Sequence, residues 1–208
     1  MELATAAPLI PPRPTLTKLR AVAAECRACP LWKCGTQTVF GEGKPSSLIM
    51  FIGEQPGDRE DLAGRPFVGP AGALLDRSLD EASIDRAKVY LTNVVKHFKW
   101  EPRGKRRIHK KPNAAEITAC RPWLDAEIRV LHPRAIVCLG AVAAQAVIGP
   151  KFRVSVQRGQ FVDSELAEYV TATVHPSSIL RAPSDEARRI ERARFVADLK
   201  KIRKVIAA

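Results

Sequence analysis

Short apolar runs alternate with segments of helical periodicity along most of the chain. The runs are residues 47–52, 88–93, 134–140 and 169–174, and each has the length of a strand buried on both faces. Between them, apolar residues recur every three or four positions, which predicts amphipathic helices. Strands that alternate with helices predict the α/β class, with a mainly parallel sheet that is covered on both faces.

Several helix starts can be read from the residue types. Residues 15–25 place Leu16 and Leu19 on one face of a short helix, and Pro70 begins a second helix after a glycine-rich loop. Asn113 with Glu116 three residues later predicts an N-cap and its capping partner. The sequence therefore predicts a third, longer helix that continues to residue 131.

The length of 208 residues suits one domain with a full core. Four prolines among residues 1–14 predict a flexible N-terminal arm, so the domain is expected over residues 15–208. Within it, residues 154–162 are predicted to form an antiparallel excursion. Ser184 is the expected cap of a final helix that carries Arg and Lys on its outer face.

The formal net charge of +12 favours a polyanionic partner. Nucleic acid is favoured over a membrane, because no apolar run approaches the length that spans a bilayer. The first residues lack the basic and apolar pattern of a secretory signal. We therefore expect a cytoplasmic protein, and a monomer.

Polar side chains follow three of the predicted strands. Glu54, Gln55 and Asp58 lie in a glycine-bracketed loop after the first strand, Asn93 ends the second, and His175 follows the last. A plain turn is the competing interpretation of the first loop. Because the carboxyl ends of parallel strands meet at one edge of a sheet, these residues are expected to form one site.

The basic segment, residues 96–111, contains eight Lys or Arg residues, one Glu and two histidines, His97 and His109. Such a charge run is typical of a solvated loop that contacts phosphate. His109, however, stands between Arg107 and Lys110, and neighbouring positive charge disfavours the imidazolium form. A neutral imidazole keeps a lone pair that can attack carbon. Both interpretations stay open from the charge pattern alone.

Five cysteines in a protein expected in a reducing compartment are more typical of metal ligands or core residues than of disulfides. Cys26 and Cys29 form a C-x-x-C pair at the end of the first predicted helix, which indicates a metal or cluster site. Cys34 is interpreted as a free thiol.

Four loops together resemble the signature loops of the uracil-DNA glycosylase superfamily. They are residues 53–57, 64–69, 92–93 and 175–178. The resemblance is greatest to the iron–sulfur branch, family 4, and extends from about Cys26 to the final helix. Within that branch, Gln55 and the Lys-Arg-Arg-Ile-His order of residues 105–109 resemble the UdgX subgroup, which bonds covalently to the uracil site that it opens.

The resemblance implies a four-stranded parallel sheet with flanking helices, and a role for each matched residue. Phe67 would stack on a flipped uracil, Asn93 would hydrogen-bond its edge, and His175 would face uracil O2. Glu54 and Gln55 would lie beneath the sugar, and His109 would attack it. The remaining predicted substrate-binding residues are Asp58, Arg107, Ser177 and Ser178.

The resemblance also implies one [4Fe-4S] cluster. Cys26, Cys29 and Cys120 match three of the four family cysteines, and His97 stands at the fourth position. An imidazole can replace a thiolate on a cluster iron. Cys138 is the rival ligand, although it lies in an apolar strand where a free cysteine acts as a small hydrophobe. Zinc held by the same ligands is the alternative metal.

The predicted function is uracil excision from DNA followed by covalent attachment through His109. Single-stranded DNA is the expected preference, because the base must leave its stack before the enzyme can reach the glycosidic bond. The rival hypotheses are a conventional, multiple-turnover family 4 glycosylase and a non-catalytic, cluster-bearing module that binds nucleic acid.

Overall fold

The computed structural model describes residues 5–207. The strands are β1 (Ile49–Gly53), β2 (Val89–Asn93), β3 (Trp100–Arg103), β4 (Arg106–His109), β5 (Ala135–Leu139), β6 (Phe161–Val162) and β7 (Tyr169–Thr173). The α-helices are α1 (Leu16–Ala23), α2 (Asp58–Ala63), α3 (Pro70–Glu81), α4 (Ala114–Leu131), α5 (Ala141–Val147), α6 (Val154–Gln157), α7 (Pro176–Leu180) and α8 (Asp185–Ala207). Within the described residues, no helix has the length and apolar character needed to cross a membrane.

The central sheet has the strand order β2-β1-β5-β7-β6. Strands β2, β1, β5 and β7 are parallel, which confirms the predicted α/β class and the four parallel strands. The two-residue strand β6 adds an antiparallel edge beside β7. The antiparallel excursion predicted for residues 154–162 is limited to this strand, because Val154–Gln157 forms helix α6 instead.

Side chains of each central strand point alternately into two apolar layers. In β1, Met50 and Ile52 pack in the layer that contains α1, α4 and α5. Ile49 and Phe51 pack in the opposite layer, with α3 and α8. All five β1 residues are buried, as expected for a strand covered on both faces. The domain is therefore the predicted three-layer α/β/α arrangement.

Local capping fixes the starts of the two long helices as predicted. Asn113 Oδ1 accepts a hydrogen bond from the Glu116 backbone N–H at 2.9 Å, and the Glu116 carboxylate accepts one from Asn113 N–H at 2.7 Å. Ser184 Oγ accepts from Ala187 N–H at 3.1 Å at the start of α8. A cap of this kind stabilises a helix by about 1 kcal/mol.

The predicted N-terminal arm is docked on the domain over the part that the structure describes. Residues 1–4 lie outside the described residues. Ala6 is fully buried and its N–H donates to the carbonyl of Ala119 in α4 at 2.9 Å. A short 3-10 helix, Ala7–Leu9, follows. Prolines here shape a segment packed against α4, and the division into a flexible arm and a domain stays a prediction.

The basic segment forms a β-hairpin rather than the predicted loop. Strands β3 and β4 pair antiparallel, with Trp100 opposite His109. Gly104 occupies the turn at φ +59°, a conformation that glycine adopts without steric cost. At the other end, Lys110 N–H donates to Lys99 O at 2.9 Å. The hairpin thus carries His109 to the base of its two strands, beside the central sheet.

Candidate active site

A cleft of about 690 Å³ opens at the carboxyl edge of the parallel strands. It confirms the expectation that polar residues after separate strands converge there. The predicted site residues that line it are Glu54, Gln55, Phe67, Asn93, His109, His175, Ser177 and Ser178. Asp58 and Arg107, which were predicted to bind substrate, do not line it.

Glu54 presents an unsatisfied carboxylate to this cleft. Its Oε1 is buried, has no hydrogen-bond partner in the described part of the chain, and lies 3.6 Å from Nε2 of His109. Burial raises the pKa of Glu54, although Lys111 and Arg181 act in the opposite direction. A buried acceptor without a donor is costly, and such a group often marks a functional site.

His109 is half-exposed, and its pKa is lowered first by burial and then by Arg181. A lowered pKa is what the charge pattern predicts, but the cations expected to cause it, Arg107 and Lys110, are not the ones that do. Arg107 is directed to acidic partners on α2, and Lys110 Nζ pairs with Glu101 at 2.6 Å. The lowered pKa favours the neutral imidazole, which is the form with a free lone pair.

His175 is held neutral and oriented. Burial, Arg181 and His109 lower its pKa to about 4. Its Nδ1 accepts a hydrogen bond from Ser177 N–H at 3.1 Å, so the proton of the neutral ring resides on Nε2. Ser178 Oγ donates to the His175 carbonyl at 2.8 Å. Ser177 and Ser178 therefore position a neutral hydrogen-bond donor.

Phe67 and Asn93 are fixed by close contacts with glycine. A Cβ on Gly53 would lie 2.3 Å from Asn93 Oδ1 and 2.9 Å from the Phe67 ring, so only glycine leaves room for both side chains. Phe67 has φ +57°, an unusual conformation for a bulky residue, and stacks on His175 with 6.0 Å between ring centroids. Strain at such a position is typical of functional sites.

Gln55 uses its side-chain amide to hold the hairpin. Nε2 donates to the carbonyls of Lys99 and Lys110 at 3.1 and 3.0 Å, and Oε1 accepts from Lys99 N–H at 3.1 Å. These two residues flank β3 and β4. Gln55 lines the cleft, and the contacts that its amide makes within the protein position the hairpin. Its predicted place beneath the sugar stays a prediction.

Arg107 holds the outer side of the hairpin against α2. Its Nε donates to Asp58 Oδ1 and its guanidinium to Asp61 Oδ2, both at 2.6 Å. The guanidinium also packs over the rings of Phe98 and Trp100. Asp58 and Arg107 were predicted to contact substrate. In the structure they contact each other, because Arg107 reaches the carboxylates that begin the neighbouring helix, and their contact with substrate stays a prediction.

Arg181 is a site residue that the sequence analysis missed. It is exposed, lines the cleft, and affects the pKa of Glu54, His109 and His175. Its only sequence signal is its place directly after α7, the short helix that His175 begins. A cation at this rim suits a DNA phosphate.

Three of the predicted cluster ligands lie together in the layer that contains α1 and α4. Cys26, Cys29 and Cys120 are buried, and the first two contribute to the raised pKa of Cys120, which burial chiefly sets at about 12. Trp123 Nε1–H donates to Cys26 Sγ, and Lys96 N–H to Cys120 Sγ, each at 3.3 Å. Hydrogen bonds to sulfur suit thiolate ligands of a cluster.

The predicted fourth ligand, His97, is also buried. Burial lowers its pKa to about 4 against the opposing effect of Asp61, which favours the neutral ring that binds metals. Its Nε2 lies 3.0 Å from Thr38 Oγ1. Cys138 lies inside β5, and burial raises its pKa without a contribution from another cysteine. The donor set of Cys26, Cys29, Cys120 and His97 therefore fits an iron–sulfur cluster in its chemistry.

A single-ion site is not formed by these residues. Over residues 5–207, no three His, Cys, Asp or Glu side chains are grouped as ligands of one metal ion. Zinc held by the cluster ligands therefore has no preformed site. Ligands of a cluster bind different irons and so lie farther apart than those of one ion. The cluster and its ligand set stay predictions.

Comparison with known proteins agrees with the fold and the cleft. The family model described as the uracil DNA glycosylase superfamily matches residues 40–200. A type-4 uracil-DNA glycosylase of Thermotoga maritima is 42% identical over 167 residues, which cover 80% of this chain and 83% of the relative. One of Sulfurisphaera tokodaii is 37% identical over 201 residues, 92% of this chain and 84% of the relative. The chain therefore belongs to the uracil DNA glycosylase superfamily, and its similarity to type-4 members confirms the predicted family 4 resemblance.

Proposed function

We propose that this protein excises uracil from DNA and becomes bonded through His109 to C1′ of the sugar that it leaves behind. The observation that carries the proposal is the unpaired Glu54 carboxylate 3.6 Å from Nε2 of His109, inside the cleft. The carboxylate suits stabilisation of a sugar cation, and the imidazole suits capture of that cation. Uracil excision is also the activity in the names of the type-4 relatives.

Base recognition is assigned to three side chains of the cleft. A flipped uracil would stack on Phe67, as bases stack on aromatic rings in single-strand binding. The amide of Asn93 offers both a donor and an acceptor to the uracil edge. His175, neutral with its proton on Nε2, can donate to uracil O2, where negative charge develops as the base departs.

Bond cleavage is assigned to charge stabilisation at both ends of the glycosidic bond. The bond between C1′ and N1 breaks with both electrons passing to uracil, which leaves as the anion. Positive charge remains on the sugar, where the Glu54 carboxylate stabilises it. Preorganised groups of this kind are typically worth about 3–4 kcal/mol each.

Capture is assigned to Nε2 of His109. Its lone pair forms the new bond to C1′, and the imidazolium so produced releases the Nδ1 proton to solvent. The product is a neutral N-alkyl imidazole, which is a poor leaving group, so the bond should persist. The depressed pKa of His109 supports this step because it keeps the lone pair available near neutral pH.

A denaturing gel of the wild-type protein mixed with uracil-containing DNA tests the proposal. We expect a protein band shifted by the mass of the DNA strand and resistant to boiling in detergent, together with free uracil. Free uracil with alkali-labile abasic DNA and no shifted band would instead identify a conventional glycosylase, which the similarity to type-4 relatives favours. No uracil release at all would identify the non-catalytic binding module.

Gln55→Leu should separate capture from excision. The variant keeps the size of the side chain but removes the three hydrogen bonds that hold the hairpin base. Because His109 lies at that base, we expect the yield of adduct per uracil released to fall about 10-fold, by analogy with the loss of a residue that orients a metal ligand. Quantifying adduct and abasic product on one gel measures the ratio. An unchanged ratio would contradict the positioning role.

DNA contact is assigned to the exposed cations of the hairpin and the cleft rim. Arg103, Lys105, Arg106 and Lys111 are exposed, as is Arg181. Neutralising phosphates with such residues releases counterions and makes binding fall steeply with salt. Single-stranded DNA is the proposed preference, because no base pair must be opened. Action as a monomer in the cytoplasm belongs to the same proposal.

We assign a [4Fe-4S] cluster to Cys26, Cys29, His97 and Cys120. Held there, it would cross-link the segment after α1 to the segment after β2 and to α4, and it could exchange electrons. None of the excision steps above passes through it. The three buried thiols and the N–H donors to two of their sulfurs support the assignment.

His97→Ala should lose or destabilise the cluster, whereas Cys138→Ala should retain it. His97 is buried and its pKa is lowered, which keeps the ring neutral for metal binding, while Cys138 is enclosed in β5. Iron and sulfide content with the visible absorbance spectrum of the purified proteins would measure the difference. Cluster loss in Cys138→Ala alone would contradict the ligand assignment, and a colourless protein loaded with zinc would contradict the cofactor.

A further inference from the structure

Lys96 of the basic segment forms a charged pair with Glu127 of α4 inside the protein, away from both solvent and the cleft. The side chains of Lys96 and Glu127 are 1% and 0% exposed, and Lys96 Nζ lies 2.5 Å from Glu127 Oε2. Removing two charges from water is costly, and the pair's own attraction need not exceed that cost. The position of this pair therefore needs a reason other than stability.

The ammonium group of Lys96 uses its three N–H donors on three different acceptors. Besides Glu127, it donates to Thr92 Oγ1 at 2.6 Å and to the carbonyl oxygen of Asn93 at 2.8 Å. An ammonium has three donors, so the group is fully satisfied. Two of its three contacts are on the last two residues of β2, and the second of these is the proposed reader of uracil.

Glu127, on α4, completes the arrangement around β2. Its carboxylate accepts hydrogen bonds from Tyr90 Oη at 2.8 Å, from Thr92 Oγ1 at 3.0 and 3.1 Å, and from Gly41 N–H at 3.1 Å. The carboxylate thus ties β2 and the segment before β1 to the rigid helix behind the sheet. Lys96, which donates to Glu127, also donates to the Asn93 carbonyl and so links the Asn93 backbone to this helix.

We infer that the buried pair of Lys96 and Glu127 is a positioning device that sets the Asn93 backbone, and thereby its amide, for recognition of uracil. Apolar replacement of buried ion pairs is often neutral or even stabilising, so the core itself does not require this one. A bare carbonyl at the end of β2, in contrast, needs a directed donor to fix it. The inference rests on the proposed reading of uracil by Asn93.

Lys96→Met combined with Glu127→Gln tests this role. Lys96→Met alone would leave a buried, unpaired carboxylate and could unfold the protein. In the double variant, the amide introduced at position 127 carries no charge and can still meet Tyr90 and Thr92, while Asn93 O loses its donor. The arrangement therefore changes mainly at Asn93.

Two DNA ligands separate base reading from other losses. One carries 2′-fluoro-2′-deoxyuridine, whose glycosidic bond resists cleavage, and the other carries a tetrahydrofuran abasic analogue that has no base. We expect the double variant to bind the first about 10-fold or more weakly, by analogy with the loss of a residue that orients a metal ligand, and the second with unchanged affinity. Iron content and the unfolding temperature of the same samples establish that fold and cluster are intact.

A control is the pair Arg134 and Glu168, which lies at the starts of β5 and β7, at the sheet edge opposite to the cleft, with Nε 2.6 Å from Oε2. Arg134→Met with Glu168→Gln removes a charged pair that contacts neither β2 nor the strand ends at the cleft, and it should leave the uracil-dependent part of binding unchanged. Equal losses on the two DNAs, or full uracil affinity in a folded Lys96 and Glu127 variant, would overturn the inference. A wild-type protein that fails to prefer the uracil ligand would overturn the proposed base reading itself, and the inference with it.

Discussion

His109→Ser should eliminate the heat-stable protein–DNA adduct and convert the protein into a glycosylase that releases abasic DNA. Serine is small and polar but lacks the imidazole lone pair, so water would reach the sugar cation in its place. We expect the shifted band to vanish while uracil release continues, with strand breaks appearing after treatment with alkali. A denaturing gel with and without alkali measures both products.

The control for this substitution is Lys105→Ser, in the turn of the same hairpin. Lys105 is exposed and lies at the end of the hairpin opposite to His109, so its loss should weaken DNA binding but leave the adduct intact at saturating DNA. Mass spectrometry of the digested adduct should place the sugar on His109. An adduct that survives in His109→Ser, or a sugar found on Lys105 or on the exposed thiol of Cys34, would contradict the assignment.

Glu54→Gln should lower both excision and capture by about 10²- to 10³-fold, the usual effect of removing one preorganised electrostatic contact. The amide keeps the shape of the side chain but not its charge. Since capture follows bond cleavage, adduct and free uracil should fall by the same factor in single-turnover experiments. If uracil release were preserved while the adduct disappeared, Glu54 would act on His109 alone.

Glu101→Gln is the matched control, because it removes the same charge from the hairpin surface, where Glu101 pairs with Lys110. It should leave both rates within about two-fold, as is usual for an exposed ion pair. The wild-type pH profile gives a second check. The pKa of Glu54 is raised by burial, so excision should decline as pH falls through that raised value. The pKa of His109 is lowered, so its protonation should begin only below its ordinary range.

The sequence predicts the parts of the site that follow directly from strand ends. Glu54, Asn93 and His175 each come just after an apolar run, and parallel strands bring such positions to one edge by geometry alone. The capping box of Asn113 and Glu116 involves residues only three positions apart, so it can be predicted from the sequence equally well. These predictions needed no knowledge of which side chains pair across the fold.

The partners of the basic segment could not be predicted, because they are distant in sequence. In a run of like charges, the sequence does not distinguish a cation that is paired inside the fold from one that is solvated. Lys96 instead finds Glu127 on α4, and Arg107 finds Asp58 and Asp61 on α2. Arg181, the cation that lowers the pKa of His109, lies directly after α7. The number of charges indicates which class of partner a protein binds, but not towards which neighbour each charged side chain points.

The anchorage of the hairpin limits how the proposed capture chemistry could be moved between related proteins. His109 occupies its place because Gln55 holds the two ends of the hairpin and Arg107 grips the carboxylates of Asp58 and Asp61. Grafting residues 105–109 alone onto another member of the superfamily would move the proposed nucleophile without the residues that support it. An engineered cross-linking enzyme would need the acceptors on the recipient scaffold as well, so the transferable unit is discontinuous in sequence.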